Sequence, residues 1–427
     1  MIFGFSSKTS PTTSAAVVLP FYIYAAAAFG VATILLFFVT NSLTQHYTSP
    51  PLLGITHTLT LGWGTMVIFG ASYQLVPVLI ERKLQSTKLA MISFGLMAVG
   101  IPLLIYGFFR ADMGMITRWG GHLVVSGVIL YGINMFVSAF LSKKVNIHVV
   151  FLLASLGWLL YTVFLGICLV YNMSVPIFEE NSWHYLPLHA HIGIVGWFLQ
   201  LVIGVASRLI PMFLISKYNN PRLLWFSFAF LNSGLIAFVL SFYFFSTALV
   251  YLLAVLLVFA SMALFFYYNY MSFKSRIRKA VERPMLLSLF SLVASLVPIL
   301  LITLLLTVRT HTEAQARWTL LYGFWIFLGW LTSIILGMTF KTLPFIVWNQ
   351  VYRQVGYGKA PNPKDLFSEK IFNAMTAAYG VALLILGFGI LLKINILLKI
   401  GAAFFVLTAF LYNLNVLKIT THKPKKQ

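Results

Sequence analysis

Three segments of this chain repeat one spaced pattern at matching offsets. His57 is followed by Gly62, Trp63, Gly70 and Pro77; His191 by Gly196, Trp197, Gly204 and Pro211; Phe324 by Gly329, Trp330, Gly337 and Pro344. The copies begin 134 and 133 residues apart, so the chain reads as three tandem units. Any fold it takes has to give three like elements like surroundings.

The residues between the copies identify the medium. Hydrophobic residues make up 60% of the 427 and charged residues 9%, against roughly 25% charged in soluble domains. Twelve apolar runs reach the ~20 residues needed to cross a hydrocarbon core about 30 Å thick. Their approximate cores are 17–41, 51–80, 89–110, 119–141, 148–172, 186–215, 222–244, 247–271, 285–308, 318–348, 371–392 and 395–417. Twelve spans in three units give four helices per unit, with the patterned helix second in each. The expected fold is therefore all-α: one polytopic membrane domain over 1–427, with twelve transmembrane helices in pseudo-repeats at about 17–141, 148–271 and 285–417. The repeats surround a central axis, and spans 2, 6 and 10 lie innermost.

Charge sets the expected orientation. Glu81-Arg82-Lys83 with Lys88, Lys143-Lys144, Lys217 with Arg222, the run from Lys274 to Lys279, Arg353 with Lys359 and Lys364, and the tail from Lys423 to Lys426 share one side if both termini face inward. The other side carries Asp112, Glu179-Glu180 and Glu313. The positive-inside rule then puts both termini in the cytoplasm of a prokaryotic cell. The 29 Lys+Arg against 8 Asp+Glu are spread over these loops, which points to the anionic headgroups of the lipid bilayer as partner and not to nucleic acid. No cleavable signal is expected ahead of the first span. Cys168 is the single cysteine, so neither an intrachain disulfide nor a cysteine metal cluster is expected. The loop at about 349–370 reads as a connector.

In this topology His46, His57, His122, His184, His189, His191 and His311 fall in the outer half, and only His148 and His422 lie inward. Imidazole is the commonest ligand of transition metals and serves haem iron, so an outer-half haem or metal site is the functional expectation. At about 100° per residue, offsets +5, +6, +13 and +20 point to roughly 140°, 240°, 220° and 200°. The glycines, tryptophan and proline then share a face that can pack helix on helix, while His57 and His191 aim elsewhere. If the helix is already formed at His189, that residue falls beside the glycines, and it and His191 cannot both ligate one metal directly. Candidate cofactor ligands are His57, His191 and His122; candidate metal ligands are His189, His191 and His184. The plainer alternative is that each bonds a neighbouring helix, that His46 and His184 belong to the interfacial belt, and that His311 is solvated.

Seventeen residues past the leading position, roughly 25 Å deeper, stand Gln74, Arg208 and Lys341. They read as snorkelling side chains or as a gate or anion contact. None of the Asp or Glu residues falls deep in a span, although membrane proton relays rely on carboxylates. No P-loop, dinucleotide-binding glycine pattern or Cys-x-x-Cys-His haem attachment occurs.

Twelve spans in three four-helix units, with an outer-half histidine in span 2 and histidines opening span 6, resemble the catalytic subunit (subunit I) of the haem–copper oxidase and nitric oxide reductase superfamily. In that family the span-2 histidine ligates the low-spin haem and a span-6 histidine ligates the second metal. His57 matches the first, and His191 or His189 the second. Span-7 and span-10 histidines complete the family's sites, but span 7 around Leu223 to Phe244 and span 10 from Trp318 to Trp348 have none, and Phe324 stands at the repeat position. The chain also resembles the haem- and copper-containing membrane proteins of the nitric oxide response.

The resemblance implies a cytochrome c oxidase subunit I-like haem or copper protein, an oxidoreductase of respiration or a binder of O2 or NO, and the lack of deep carboxylates argues against a canonical proton-pumping oxidase. A cytochrome or other electron-transfer subunit is the implied partner. The alternative is a membrane transporter or cofactor-assembly factor on the same scaffold, with outer histidines at one mouth and Arg208 and Lys341 near the other. Reporter fusions test the topology: those after Lys144 and Arg278 should read cytoplasmic and those at Glu180 and Thr312 external. Matching signals at Lys144 and Glu180 overturn the twelve-span scheme.

Overall fold

The computed structural model describes residues 12–142, 146–245, 247–308, 312–352 and 360–423. His311 and the basic residues at 143–144, 353, 359 and 425–426 lie outside them. The described residues are helical throughout, apart from short connections and one isolated antiparallel bridge between Ser216 and Arg276. A hydrocarbon medium dictates this, because only a helix satisfies its own backbone amides where no water can.

Twelve helices are long and apolar enough to span a bilayer. They are Ala15–Phe38, Pro50–Leu79, Thr87–Arg110, Met115–Ser142, Ile147–Asn172, Ser182–Leu214, Pro221–Phe245, Ala248–Lys274, Arg283–Thr307, Glu313–Tyr352, Glu369–Leu392 and Asn395–Thr420, spans 1 to 12. The chain is an integral membrane protein. Local sequence sets the starts: Ser86, Asn146, Asn181 and Ser368 each accept a backbone N–H at a helix N-terminus. Prolines open spans 2 and 7, where a missing N–H costs nothing.

The three units pack alike. In each, the first span lies against the second, and the third and fourth form an antiparallel pair. Span 4 packs on span 5, span 8 on span 9 and span 12 on span 1, which closes the units into a ring. Spans 2, 6 and 10 form its inside: 72% of the most apolar window of each is buried, against 22–50% in the other nine. The repeated glycines explain the fit. A Cβ at Gly70, Gly204 or Gly337 would collide with Phe21, Phe151 or Ser288, each on the first span of the same unit. The tryptophans join units: Trp63 meets Tyr412 of span 12 edge-on at 5.0 Å, and Trp197 meets Tyr131 of span 4 at 6.4 Å.

One regularity departs from α geometry. Just past its leading residue each inner span widens into π-helical turns, over Thr58–Thr65, Ile192–Leu199 and Trp325–Leu331. Bonding from i to i+5 advances each residue by less than an α-helix does. The 100° wheel therefore does not carry from His57 to Gly62 and beyond, and the expected opposition of histidine and glycine faces is replaced by contacts set turn by turn. Gly62 and Gly196 still adjoin the first span of their units, at Ala28 and Trp158, whereas Gly329 sits by Trp325 of its own helix.

The three inner positions do not converge. Gln74 keeps a buried Oε1 without a partner, Arg208 is exposed, and Lys341 donates to the Glu282 carboxylate at the foot of span 9. Arg278 reaches the same carboxylate at 2.6 Å, and the Lys341 ammonium lies 4.8 Å from the ring centre of Phe213 on span 6. The anion met by Lys341 is thus the chain's own. Burial pushes the Glu282 carboxyl up, but the hydrogen bond and charge of Lys341, with Arg278, outweigh it and hold the carboxyl below its ordinary value. A depressed folded value contributes stability that is present above the unfolded carboxylate pKa and lost as pH falls through the folded one. Lys341→Met should lower stability in detergent at neutral pH by roughly 1.5–3 kcal/mol, the worth of a charged hydrogen bond. That difference should shrink as pH drops below about 4; a difference that stays constant contradicts the pairing.

Candidate functional site

His57 and His191 each close an α-helical stretch, Pro50–His57 and Ser182–His191, immediately before the π turns. In both the ring turns back on its own helix: Nδ1 lies 2.8 Å from the Leu53 carbonyl oxygen and 2.7 Å from that of Pro187, four residues earlier in each case. A carbonyl only accepts, so Nδ1 carries the proton and the neutral ring presents its lone pair at Nε2. His189 is held the same way, donating from Nδ1 to the Thr162 carbonyl of span 5 at 3.1 Å.

The structure brings His57 together with His189. Their ring centres are 6.3 Å apart and their planes 20° from parallel, and among the described residues neither Nε2 has a hydrogen-bond partner. Phe108 of span 3 flanks His57 at 4.6 Å. On the other side Gly166 makes room, since a Cβ there would lie 2.9 Å from His189 Cε1.

Repeat position explains the pair. His57 leads unit 1, and His189 stands two residues before the leading residue of unit 2. One junction further, His191 leads unit 2 and Tyr322 stands two before Phe324. These meet as well, with ring centres 5.9 Å apart, planes 23° from parallel, and the Tyr322 hydroxyl donating to His191 Nε2 at 3.1 Å. The positions of the third junction are Phe324 and Ile55, both buried and apolar. The two ring pairs thus share one geometry and differ in chemistry: two open imidazole nitrogens in the first, a nitrogen capped by a phenol in the second.

This rearranges the expected ligand sets. His191 is not beside His57 as a second ligand; its lone pair is engaged by Tyr322. His122 is exposed, bonding the Tyr171 hydroxyl through Nε2 at 2.9 Å, and His184 is exposed against Tyr185 and Phe242. His184, His189 and His191 do not gather, because two residues separate faces by roughly 200° and seven residues separate levels by about 10 Å. Among the described residues no group of three or more His, Cys, Asp or Glu could hold a metal ion. Tyr322 is legible only by comparing the position two before each leading residue, which reads Ile55, His189, Tyr322.

The arrangement can be tested against metals. A metal held through both Nε2 atoms at roughly 2.0–2.1 Å, with about 1.1 Å from each nitrogen to its ring centre, separates the centres by about 6.2–6.4 Å. The 6.3 Å between the His57 and His189 ring centres falls in that range. Two imidazoles could hold a metal whose remaining positions other groups supply, as a macrocycle does for haem iron. A groove of about 470 Å³ between spans 1 and 3 is lined by Tyr24, Thr58, Ile101, Tyr106 and Phe109, and by neither His57 nor His189; its volume is within the size range of ligand cavities.

No family model matches the chain. An uncharacterized protein of Aquifex aeolicus (strain VF5) is similar, at 27% identity over 299 residues, which cover 68% of this chain and 71% of that protein.

Proposed function

We propose that this chain is a membrane haem protein built like subunit I of the haem–copper oxidases and nitric oxide reductases, holding one haem between units 1 and 2 through His57 and His189. The observation that carries the reading is the 6.3 Å separation of two neutral imidazoles with open Nε2 atoms. When bound, the haem supplies a one-electron couple. The residues around it do the rest. The carbonyls of Leu53 and Thr162 hold both rings in the ligating tautomer and raise their basicity. Phe108 and its apolar neighbours Leu53, Leu104 and Ile167 exclude water from the His57 side, which sets the redox potential.

With both imidazoles holding the group, electron exchange would be favoured over binding of O2 or NO, since a gas would have to compete with a histidine. Copper finds no ligand set of its own in this reading. Both termini face the cytoplasm of a prokaryotic cell, so the pair lies toward the outer face, where a cytochrome or other electron-transfer subunit exchanges electrons with it.

Purification after haem-replete expression tests this. The wild-type protein should show a Soret band and about one haem per chain. His57→Ala and His189→Ala should each lose the haem or shift its spectrum, while His191→Ala should keep it. Absence of a Soret band from the wild type favours the transport or assembly reading, and loss in His191→Ala alone refutes the ligand assignment.

A further inference from the structure

At the other end of the spans, the repeat position that carries Gln74, Arg208 and Lys341 leaves one charge unanswered. Lys341 of unit 3 meets Glu282 at the foot of the first span of its own unit. In unit 2 the foot of the first span presents His148 instead. Its Nδ1 lies 2.9 Å from the Gly204 carbonyl oxygen and 3.1 Å from Ser207 Oγ, on the helix that carries Arg208. Arg208 is exposed and, among the described residues, makes no hydrogen bond or ion pair. It stands about 9 Å inside the end of span 6 at Leu214, where an unpaired guanidinium is costly.

The neighbouring elements gather further donors and no acid. The Arg208 charge reaches His148 of span 5 and Tyr268 near the end of span 8, and the Tyr268 ring centre lies 5.4 Å from that of Tyr218 in the loop after span 6. That loop is tied to the end of span 8. The Ser216 and Ser275 hydroxyls are 3.0 Å apart, Ser216 pairs with Arg276 in the isolated bridge, and the Ile277 N–H donates to the Ile215 carbonyl at 3.2 Å. The tie holds the exposed Lys217 and Lys274 at one edge, and among the described residues neither meets a carboxylate. Spans 7 and 8, which start and end at this edge, are the most lipid-exposed of the twelve, with 28% and 22% of their most apolar windows buried.

We propose that Arg208, with Lys217 and Lys274 at its rim, binds the phosphate of an anionic phospholipid from the leaflet on the side of the termini. A planar guanidinium matches a phosphate through two parallel N–H donors. The two ammonium groups favour a headgroup of net negative charge, and basic pockets between spans at this level suit such headgroups. Spans 7 and 8 offer apolar surface to the acyl chains, which a free phosphate ion would not use. Nothing in this site depends on the His57–His189 pair.

Native mass spectrometry of the full chain in detergent, with added dioleoylphosphatidylglycerol or dioleoylphosphatidylcholine, tests the site. Wild type should hold one phosphatidylglycerol about 10-fold more tightly than phosphatidylcholine, the effect of two lysines near a membrane surface. Arg208→Gln should weaken that binding roughly 10–100-fold, the worth of a charged hydrogen bond. Arg208→Lys, which keeps the charge, should recover part of it, as a misfolded variant would not. Lys217→Gln combined with Lys274→Gln should keep a bound lipid and lose the preference for phosphatidylglycerol. Wild type that holds the two lipids equally, or Arg208→Gln that holds phosphatidylglycerol as tightly as wild type, overturns the proposal and leaves Arg208 a snorkelling side chain only. Inorganic phosphate that displaces phosphatidylglycerol from wild type at equal concentration overturns the lipid as the occupant.

Discussion

In hydrocarbon a backbone amide has no water to fall back on, and each unsatisfied one costs several kcal/mol. This obliges all twelve spans to be helices and leaves little freedom except in how the helices approach one another. The three inner spans use that freedom at matching places. Glycines at 70, 204 and 337 let each press onto the first span of its own unit, and the π turns at 58–65, 192–199 and 325–331 rotate the remainder of each helix. Irregular turns of this kind survive where surrounding packing determines them, and they recur at functional sites. Here they begin one residue after the positions where the units meet.

Pseudo-threefold packing makes, at the first two of three junctions, ring pairs of nearly the same geometry, and side-chain chemistry then distinguishes them. Near-parallel ring pairs at 20° and 23° occupy the first two, so the backbone offers the same slot twice. In the first, two imidazoles leave their Nε2 atoms open. In the second, the Tyr322 hydroxyl lies at hydrogen-bond distance from His191, too close for a metal between them and well satisfied without one. Phe324 and Ile55 make the third apolar. Of the two ring pairs, only the first is lined by imidazole alone.

Much of this is legible in the sequence. The apolar run 148–172 coincides with span 5, Ile147–Asn172; the run 318–348 falls short of span 10, which extends from Glu313 to Tyr352 because a helix continues past the apolar stretch that hydropathy senses. The pairing of His57 with His189 is not legible from a helical wheel. A π turn changes the hydrogen-bond register without leaving a mark in composition, and the contact is made between units, not along one helix. The Lys341–Glu282 pair escapes for a related reason: its partners are 59 residues apart on different spans. The offset of minus two, compared across the repeats, holds the signal that links Ile55, His189 and Tyr322.

An iron shared by His57 and His189 would hold their rings nearly parallel, and low-temperature electron paramagnetic resonance of the oxidised, purified protein examines that geometry directly. Two neutral imidazoles 20° from parallel should give a rhombic low-spin ferric signal that disappears in both His57→Ala and His189→Ala. A high-spin signal in the wild type, or a low-spin signal that survives either substitution unchanged, would contradict it.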